Sequence, residues 1–227
     1  MESVKIVSIG DGSTGKTSLL IKLTQNTFPR DYVPTVFDNY AAQMSIPIKG
    51  KQRSFNLNLW DTAGQQEYDT LRPLSYPGTD IFLLFFSIDE PDSFENITTK
   101  WVKEVKEHKG SCPGANLFVM GAKTDLTTNE GTIANLKAKG QHPITYKEGV
   151  ELAKKIGAQK YVECSAKTEN LEEVFIEIIQ EYFESKSKVK TSAAMCCWKA
   201  GEPGQSEVVV HTSDGWVVCL SCLHPSS

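Results

Sequence analysis

Residues 10–17 read Gly-Asp-Gly-Ser-Thr-Gly-Lys-Thr, and this stretch decides the fold. It lies between an apolar run, residues 4–9, and a helical pattern, which is the setting of a phosphate-binding loop. The glycines let backbone N–H groups turn inward around an anion, and the positive end of the helix dipole points at the same place. Lys16 adds a cation for the outer phosphates, and Thr17 offers Mg²⁺ a hydroxyl. The loop therefore predicts a site for a magnesium-bound polyphosphate.

The bulk composition is that of an ordinary soluble protein. The 227 residues are 40% hydrophobic and 23% charged, which favours one compact domain with a tail. The longest apolar stretch, residues 81–86, is shorter than the about 18 residues of a membrane span, and no signal-peptide pattern opens the chain. A net charge of −4 argues against general nucleic-acid binding. The sparse cysteines do not suggest a secreted disulfide scaffold, so we expect a cytoplasmic protein.

Strand and helix signals alternate along the chain. Apolar runs precede amphipathic stretches at residues 4–10, 81–87, 117–121 and 161–164. This alternation indicates a parallel sheet with helices on both faces, and two extended segments between Phe37 and Trp60 predict a hairpin that adds an antiparallel edge. We expect an α/β fold of the three-layer P-loop NTPase type, with a mixed six-stranded sheet and about five helices.

The last helix predicts the end of the domain. Residues 171–183 carry apolar side chains at helical spacing and glutamates on the other face, so this helix closes the core. After Ser185 the composition shifts to Lys, Ser, Gly and Pro. We predict a domain over residues 1–185 and a flexible tail over residues 186–227.

Four residues beyond the loop are placed to sense the terminal phosphate. Thr35 follows Pro34 in an extended loop, and its hydroxyl can complete the Mg²⁺ shell. Asp61 follows a strand pattern, where its carboxylate can hold the metal through water. Gly64 can offer its N–H to the phosphate, and the Gln65 amide can hold an attacking water, so Gln65 is the predicted catalytic residue. The alternatives are a solvated turn for Thr35, an N-cap for Asp61 and a surface amide for Gln65.

Two further segments predict the choice of base. In residues 122–125, Ala-Lys-Thr-Asp, the Asp125 carboxylate can accept two hydrogen bonds from guanine, whereas adenine would leave it unpaired. The Lys123 stem can lie along the base. A backbone N–H near Ala166, in the Cys-Ser-Ala-Lys stretch of residues 164–167, can meet the guanine oxygen. Phe28 is either a base contact or a core aromatic.

Three stretches resemble the Rho/Rac family of small GTPases: Thr-Val-Phe-Asp-Asn-Tyr at 35–40, Trp-Asp-Thr-Ala-Gly-Gln at 60–65 and Leu-Arg-Pro-Leu-Ser-Tyr-Pro at 71–77. The likeness runs from about Val4 to Phe183. Residues 127–141 are similar to the insert helix of the Rho family, which most small GTPases lack. The resemblance implies a switch that is active with GTP and quiet with GDP, with outputs such as the actin cytoskeleton.

The motifs and the resemblance together give three sets of predicted residues. The nucleotide contacts are Gly12, Ser13, Thr14, Gly15, Lys16, Thr17, Ser18, Phe28, Tyr32, Thr35, Gly64, Lys123, Asp125, Ser165, Ala166 and Lys167. The ligands of the Mg²⁺ cofactor are Thr17, Thr35 and, through water, Asp61. The effector-binding switch surface is Val36, Phe37, Asp38, Asn39, Tyr40, Tyr68, Leu71, Arg72 and Leu74.

The resemblance also implies protein partners. These are exchange factors, effectors, a candidate dissociation inhibitor and GTPase-activating proteins (GAPs). Val33 stands where heterotrimeric G-protein α subunits carry a catalytic arginine, so we expect slow intrinsic hydrolysis. A GAP would then supply an arginine in trans, which is worth about 10³- to 10⁵-fold in rate.

Two short departures from the family pattern concern the nucleotide site. Ala122 stands where this family usually carries Thr and other small GTPases Asn, a side chain that ties the loop to the phosphate loop. We therefore expect faster GDP release. Ser13 and Thr14 replace the usual Ala and Val, and we expect them to change the hydration of the loop rather than abolish binding.

The C-terminal residues leave several alternatives open. The chain ends in His-Pro-Ser-Ser without a prenylation signal, so any membrane association would not use a prenyl group. Cys196 and Cys197 can accept palmitate, which would place the protein peripherally on the plasma membrane. With Cys219 and Cys222 they can instead bind zinc or be incidental. The apolar residues 208–210 and 216–220 can add an edge strand, bind a partner or reflect an alternative C terminus.

Two other functions compete with the hydrolysing switch. The first is a scaffold that binds GTP without hydrolysing it, and Gly12, Thr35 and Gln65 argue against it. The second is a P-loop ATPase or small-molecule kinase, which Asp125 opposes.

Overall fold

The computed structural model of the chain describes residues 2–29, 35–199, 209–212 and 215–218, and it describes only the backbone of residues 188–199 and of the last two ranges. The chain divides into two compact units, residues 1–182 and 183–227. The predicted site residues up to Lys167 belong to the first unit.

Six strands form the sheet of the first unit. They are β1 Glu2–Gly10, β2 Phe37–Ile48, β3 Lys51–Thr62, β4 Ile81–Ser87, β5 Asn116–Ala122 and β6 Lys160–Cys164. Their order is β2-β3-β1-β4-β5-β6, with β2 antiparallel to β3 and every other neighbouring pair parallel. Every residue of β4 is buried, as expected for a central strand covered on both faces. The predicted mixed six-stranded α/β fold is confirmed.

The hairpin between β2 and β3 turns where the sequence predicts it. Lys49 (φ 51°) and Gly50 (φ 76°) both adopt left-handed conformations. Two consecutive positive φ angles give the turn whose twist matches the two flanking strands. The pair therefore fixes the register in which Phe37 faces Thr62.

Helices connect the strands. They are α1 Lys16–Gln25, α2 Pro91–Asn96, α3 Val102–Glu107, α4 Glu130–Ala138, α5 Tyr146–Ile156 and α6 Leu171–Lys199. A π-helical turn, Ile97–Trp101, separates α2 from α3. Short 3₁₀ turns lie at Gln66–Tyr68, Arg72–Ser75, Lys109–Ser111 and Thr124–Leu126.

Helix α6 closes the core of the first unit as its pattern predicts. Leu171, Phe175, Ile178, Ile179 and Tyr182 are buried on one face. The helix is longer than predicted, because it continues in the second unit to Lys199. Lysine and alanine are good helix formers, and no glycine or proline follows before residue 201, so the loss of the apolar face does not end the helix.

The second unit also contains two short strands, β7 Val209–Thr212 and β8 Gly215–Val218. They pair with each other in a two-stranded antiparallel sheet of their own. Residues 209–210 and 216–218 of the apolar segments therefore lie in strands.

Candidate nucleotide-binding site

The phosphate loop joins β1 to α1 through conformations that favour glycine. A Cβ on Gly10 (φ 149°) would lie closer to the Phe85 carbonyl oxygen than the 3.0 Å that real Cβ atoms keep. Gly15 (φ 100°) and Ser13 (φ 60°) also have positive φ angles. No side chain caps the start of α1, so the first N–H groups of this helix are left for an anion.

Lys16 is buried beneath this loop. Its Nζ donates hydrogen bonds to the carbonyl oxygens of Gly10, at 2.8 Å, and Asp11, at 2.7 Å. Burial lowers the pKa of Lys16 from 10.5 to about 8, although the nearby Asp61 and Asp11 carboxylates oppose this. Because burial disfavours the charged form, an anion bound beside the amine would stabilise it.

The three predicted metal ligands meet at the start of α1. The Thr17 hydroxyl donates to Asp61 Oδ2 at 2.5 Å and lies 2.7 Å from the Thr35 hydroxyl. Burial raises the pKa of Asp61, while the Thr17 hydrogen bond and the Lys16 charge oppose the shift. The other carboxylate oxygen, Asp61 Oδ1, is buried and has no hydrogen-bond partner among the described residues. Hard oxygen donors with one buried oxygen unsatisfied fit Mg²⁺ and its water ligands.

Gln65 lies over the phosphate loop rather than on the surface. A Cβ added to Gly12 would be 3.8 Å from Gln65 Nε2. Gln65 Oε1 is buried, and within the described ranges nothing donates a hydrogen bond to it. The amide thus keeps a spare acceptor beside the loop, which is what holding an attacking water requires.

The motifs predicted to hold the base come together because β5 and β6 are neighbours. Ala122 and Cys164, at the ends of these strands, are paired in register. Beyond them, the Ser165 hydroxyl donates to Asp125 Oδ1 at 2.7 Å and so orients the carboxylate. Lys123 has a left-handed backbone (φ 63°), which turns the chain sharply after β5.

A cavity of about 300 Å³ connects the phosphate end to the base end. It is lined by the predicted residues Gly12, Ser13, Gly15, Lys16, Thr17, Ser18, Phe28, Thr35, Gly64, Gln65, Lys123, Asp125, Ser165, Ala166 and Lys167. Phe28 is 46% exposed, so the alternative of a core aromatic does not hold. Ala122 also lines the cavity, and a Cβ built on Gly15 would be 3.7 Å from the Ala122 Cβ.

One predicted nucleotide contact, Thr14, is not among the described residues that line the cavity. The Thr14 side chain is fully buried, and its hydroxyl donates to the Asp11 carbonyl oxygen at 2.9 Å. The expectation that Thr14 changes hydration is therefore wrong, because the hydroxyl is satisfied within the loop. Tyr32 lies outside the described residues.

The predicted switch surface is mostly exposed. Val36, Phe37, Leu71 and Leu74 are between 46% and 75% exposed. Asp38 and Asn39 are also exposed, and Tyr40 and Tyr68 are partly buried.

Arg72 is the exception to the predicted surface, because it is buried. Its guanidinium donates to the carbonyl oxygens of Ala63, at 2.8 Å, and Gln65, at 3.1 Å. It also pairs with Glu104 at 2.7 Å and Asp69 at 2.9 Å. Arg72 is thus an internal brace of the switch segment, and its prediction as an exposed effector contact is wrong. Its acidic partner Glu104 lies 32 residues away, where no local pattern reveals it.

Residues behind the phosphate loop also contact it, and no sequence motif indicates them. Asp11 accepts side-chain hydrogen bonds from Asn96 and Trp101, which are 85 and 90 residues away. An aspartate among the glycines of a loop is the only local sign.

The predictions for the cysteines of the second unit lie beyond the described side chains. Cys196 and Cys197 belong to α6, of which only the backbone is described there, and Cys219 and Cys222 are outside the described residues. Within the described part of the chain, no group of three or more His, Cys, Asp or Glu side chains is placed to hold a metal ion. No described helix combines the length and apolarity that a membrane crossing needs.

A comparison with known protein families agrees with this geometry. The family model that describes the Ras family matches residues 5–184, which include the phosphate loop, the switch segments and both base motifs. The chain therefore belongs to the Ras family, whose members are GTP-binding switches that hydrolyse GTP to GDP.

Proposed function

We propose that this Ras-family GTPase is a switch of the Rho/Rac type that binds GDP and GTP with Mg²⁺. The observation that carries the proposal is that Thr17 contacts both Thr35 and Asp61 beside a cavity that Thr17 and Thr35 line together with Gln65 and Asp125. Bound Mg²⁺ would neutralise charge on the phosphates. The two hydroxyls would be its direct ligands, and Asp61 would act through water.

The residues of the chain have distinct roles in hydrolysis. Lys16 holds the outer phosphates, and the Gly64 N–H donates to the terminal one. The Gln65 amide oxygen accepts a hydrogen bond from the attacking water and orients that water in line with the bond to be broken. Asp125 selects guanine, with Lys123 and Phe28 against the base.

A GAP arginine completes the site in this proposal. The cations among the described lining residues of the cavity are Lys16, Lys123 and Lys167, and none is an arginine. Arg72 is close, but Ala63, Gln65, Asp69 and Glu104 already engage its guanidinium. Slow intrinsic hydrolysis that a partner accelerates follows from this arrangement.

The position of α4 supports the Rho/Rac assignment. This helix lies between the base motif at Asp125 and α5, within the segment that resembles the Rho insert. The Asn129 side chain caps it by accepting a hydrogen bond from the Thr132 N–H at 2.9 Å.

Partners and location complete the proposal. Effectors, exchange factors and a dissociation inhibitor would bind the exposed switch residues Val36, Phe37, Leu71 and Leu74, with signalling to actin as the output. We propose a GTPase domain over residues 1–185 and a tail over 186–227. The protein would be cytoplasmic, and palmitate on the cysteines at 196 and 197 would attach it to the plasma membrane. Recovery in the membrane fraction that survives their replacement by serine would contradict the acyl attachment.

The decisive experiment uses the full chain. Calorimetry should show binding of GDP but not ADP, with a loss of affinity when EDTA removes Mg²⁺. Single-turnover hydrolysis of bound GTP should accelerate with a Rho-type GAP domain and not with a Ras-type one. Equal binding of ADP would contradict the guanine site, and acceleration by the Ras-type GAP alone would contradict the Rho/Rac assignment. GTP binding without phosphate release, with or without a GAP, would favour the scaffold.

A further inference from the structure

Asp11 is held from both sides by hydrogen bonds. Its carboxylate accepts from Trp101 Nε1–H through Oδ1 and from Asn96 Nδ2–H through Oδ2, both at 2.7 Å. Its backbone oxygen accepts from Lys16 and Thr14. The second residue of the phosphate loop is therefore fixed to the α2–α3 region by its side chain and to the loop itself by its main chain.

The π-helical turn allows Asn96 and Trp101 to donate hydrogen bonds to the same carboxylate. In a regular α-helix, residues five apart point about 140° away from each other, because each residue turns the helix by about 100°. The wider turn Ile97–Trp101 brings Asn96 and Trp101 to the same carboxylate. Such turns inside helices are frequent at functional sites.

Trp101 also contacts the switch segment. Its ring is fully buried, and the Arg72 guanidinium stacks on it at 4.6 Å from the ring centroid. Lys100 Nζ lies 4.6 Å from the same ring and pairs with Asp69. Arg72 in turn donates to the backbone oxygen of Gln65. The Trp101 indole thus contacts both Asp11 in the phosphate loop and Arg72, which bonds to the backbone of the proposed catalytic residue Gln65.

We propose that Trp101 is a positioning residue for GTP hydrolysis, which fixes the distance between the phosphate loop and Gln65 by binding Asp11 with its N–H and Arg72 with its ring. The inference rests on the proposed role of Gln65. Catalysis by orientation is sensitive to small displacements, since misplacing the reacting groups by about 1 Å can cost a factor of about 10² in rate. Neither Trp101 nor Arg72 needs to touch the nucleotide for this effect.

Single-turnover hydrolysis of GTP bound to the full chain with Mg²⁺ tests the inference. Trp101→Phe keeps an aromatic ring for Arg72 but removes the N–H that holds Asp11, and we expect hydrolysis to slow about fivefold, the order of one typical hydrogen bond. Ile97→Val is the matched control, because it trims a buried side chain of the same turn without removing a hydrogen bond. We expect the control to hydrolyse at the wild-type rate. Equal slowing of both variants would overturn the inference.

The Gln65→Ala background separates positioning from a general structural effect. If Trp101 acts through Gln65, the double variant hydrolyses no more slowly than Gln65→Ala alone. A full fivefold further loss in the double variant would overturn the inference, as would a wild-type rate in Trp101→Phe alone. A wild-type rate in Gln65→Ala would instead count against the proposed function. Should Trp101→Phe not fold, Asn96→Ala decides in its place: slower hydrolysis supports the grip on Asp11, and an unchanged rate contradicts it.

Discussion

Gly64 lies directly on the backbone of Gly12, so closely that a Cβ on Gly64 would approach the Gly12 nitrogen within less than the 3.0 Å that real Cβ atoms keep. The atoms in the way are backbone, so no side-chain rotation can relieve the clash. We expect Gly64→Ala to force the Gln65 segment away from the phosphate loop and slow hydrolysis about tenfold or more. Gly110→Ala, where a Cβ meets nothing within 4 Å, is the control. A wild-type rate of phosphate release from Gly64→Ala would refute this expectation.

The meeting of Thr17 with Asp61 and Thr35 predicts how the protein responds to loss of Mg²⁺. Removing the metal from the wild type with EDTA should accelerate GDP release about tenfold or more. Thr17→Ala lacks one proposed ligand, so its GDP release should already be fast and EDTA should add less than about twofold. Ser18→Ala, the neighbouring hydroxyl, should keep the wild-type response. Fluorescent GDP release measures all three, and a full EDTA response in Thr17→Ala would exclude Thr17 as a ligand.

The short distance between Ala122 and the phosphate loop predicts the effect of restoring a polar side chain. A threonine hydroxyl at position 122 would lie beside Gly15 and could bond to the loop backbone, which is worth about 1 kcal/mol. Ala122→Thr should therefore release GDP about fivefold more slowly than the wild type. Ala122→Val introduces a side chain of the same shape without the hydroxyl, so it should release GDP at the wild-type rate. If both variants or neither slow the release, the missing tether is not the cause.

Asp125 predicts which base the site accepts. Asp125→Asn replaces the carboxylate that we propose accepts two hydrogen bonds from guanine with an amide that both accepts and donates. We expect the affinity for GDP to fall about 10²-fold or more. Xanthosine diphosphate should bind the variant better than GDP, because xanthine has a carbonyl where guanine has its amine. Asp125→Ala should bind neither well. Unchanged GDP affinity in calorimetry would remove Asp125 from the base site.

A methyl group added at Gly149 would have two opposing effects on the stability of the protein. In the interior of α5, replacing glycine with alanine should by itself stabilise the helix by about 1 kcal/mol. A Cβ there would, however, lie well within 3.0 Å of the Tyr161 ring, which is also buried. Overpacking of this kind costs about 1–3 kcal/mol, so we expect Gly149→Ala to be destabilised in urea unfolding. Gly110→Ala again provides the control, and a more stable Gly149→Ala would mean that Tyr161 can move aside.

Local motifs could be predicted, and long-range contacts could not. The phosphate loop, Asp61 and Asp125 are recognisable because each belongs to a motif of adjacent residues. The carboxyl ends of the parallel strands lie at one edge of the sheet and so bring these motifs together. The inward turn of Arg72 depends on Glu104 and Trp101, which belong to another element. No residue pattern distinguishes the π-helical turn, which lets Asn96 and Trp101 both bond to Asp11, from the α-helical residues around it. The apolar stripe of α6 predicts only the part of the helix that is buried, whereas the continuation to Lys199 depends on the absence of helix-breaking residues.

The bonding of Lys16 has a consequence for how quickly a ligand can be captured. An ammonium group has three protons, and two of them already point to the carbonyl oxygens of Gly10 and Asp11. The remaining proton can meet an incoming phosphate without breaking either bond. Lys16 can therefore hold the loop carbonyl oxygens and a phosphate oxygen at the same time, so capturing a nucleotide does not cost either of these bonds.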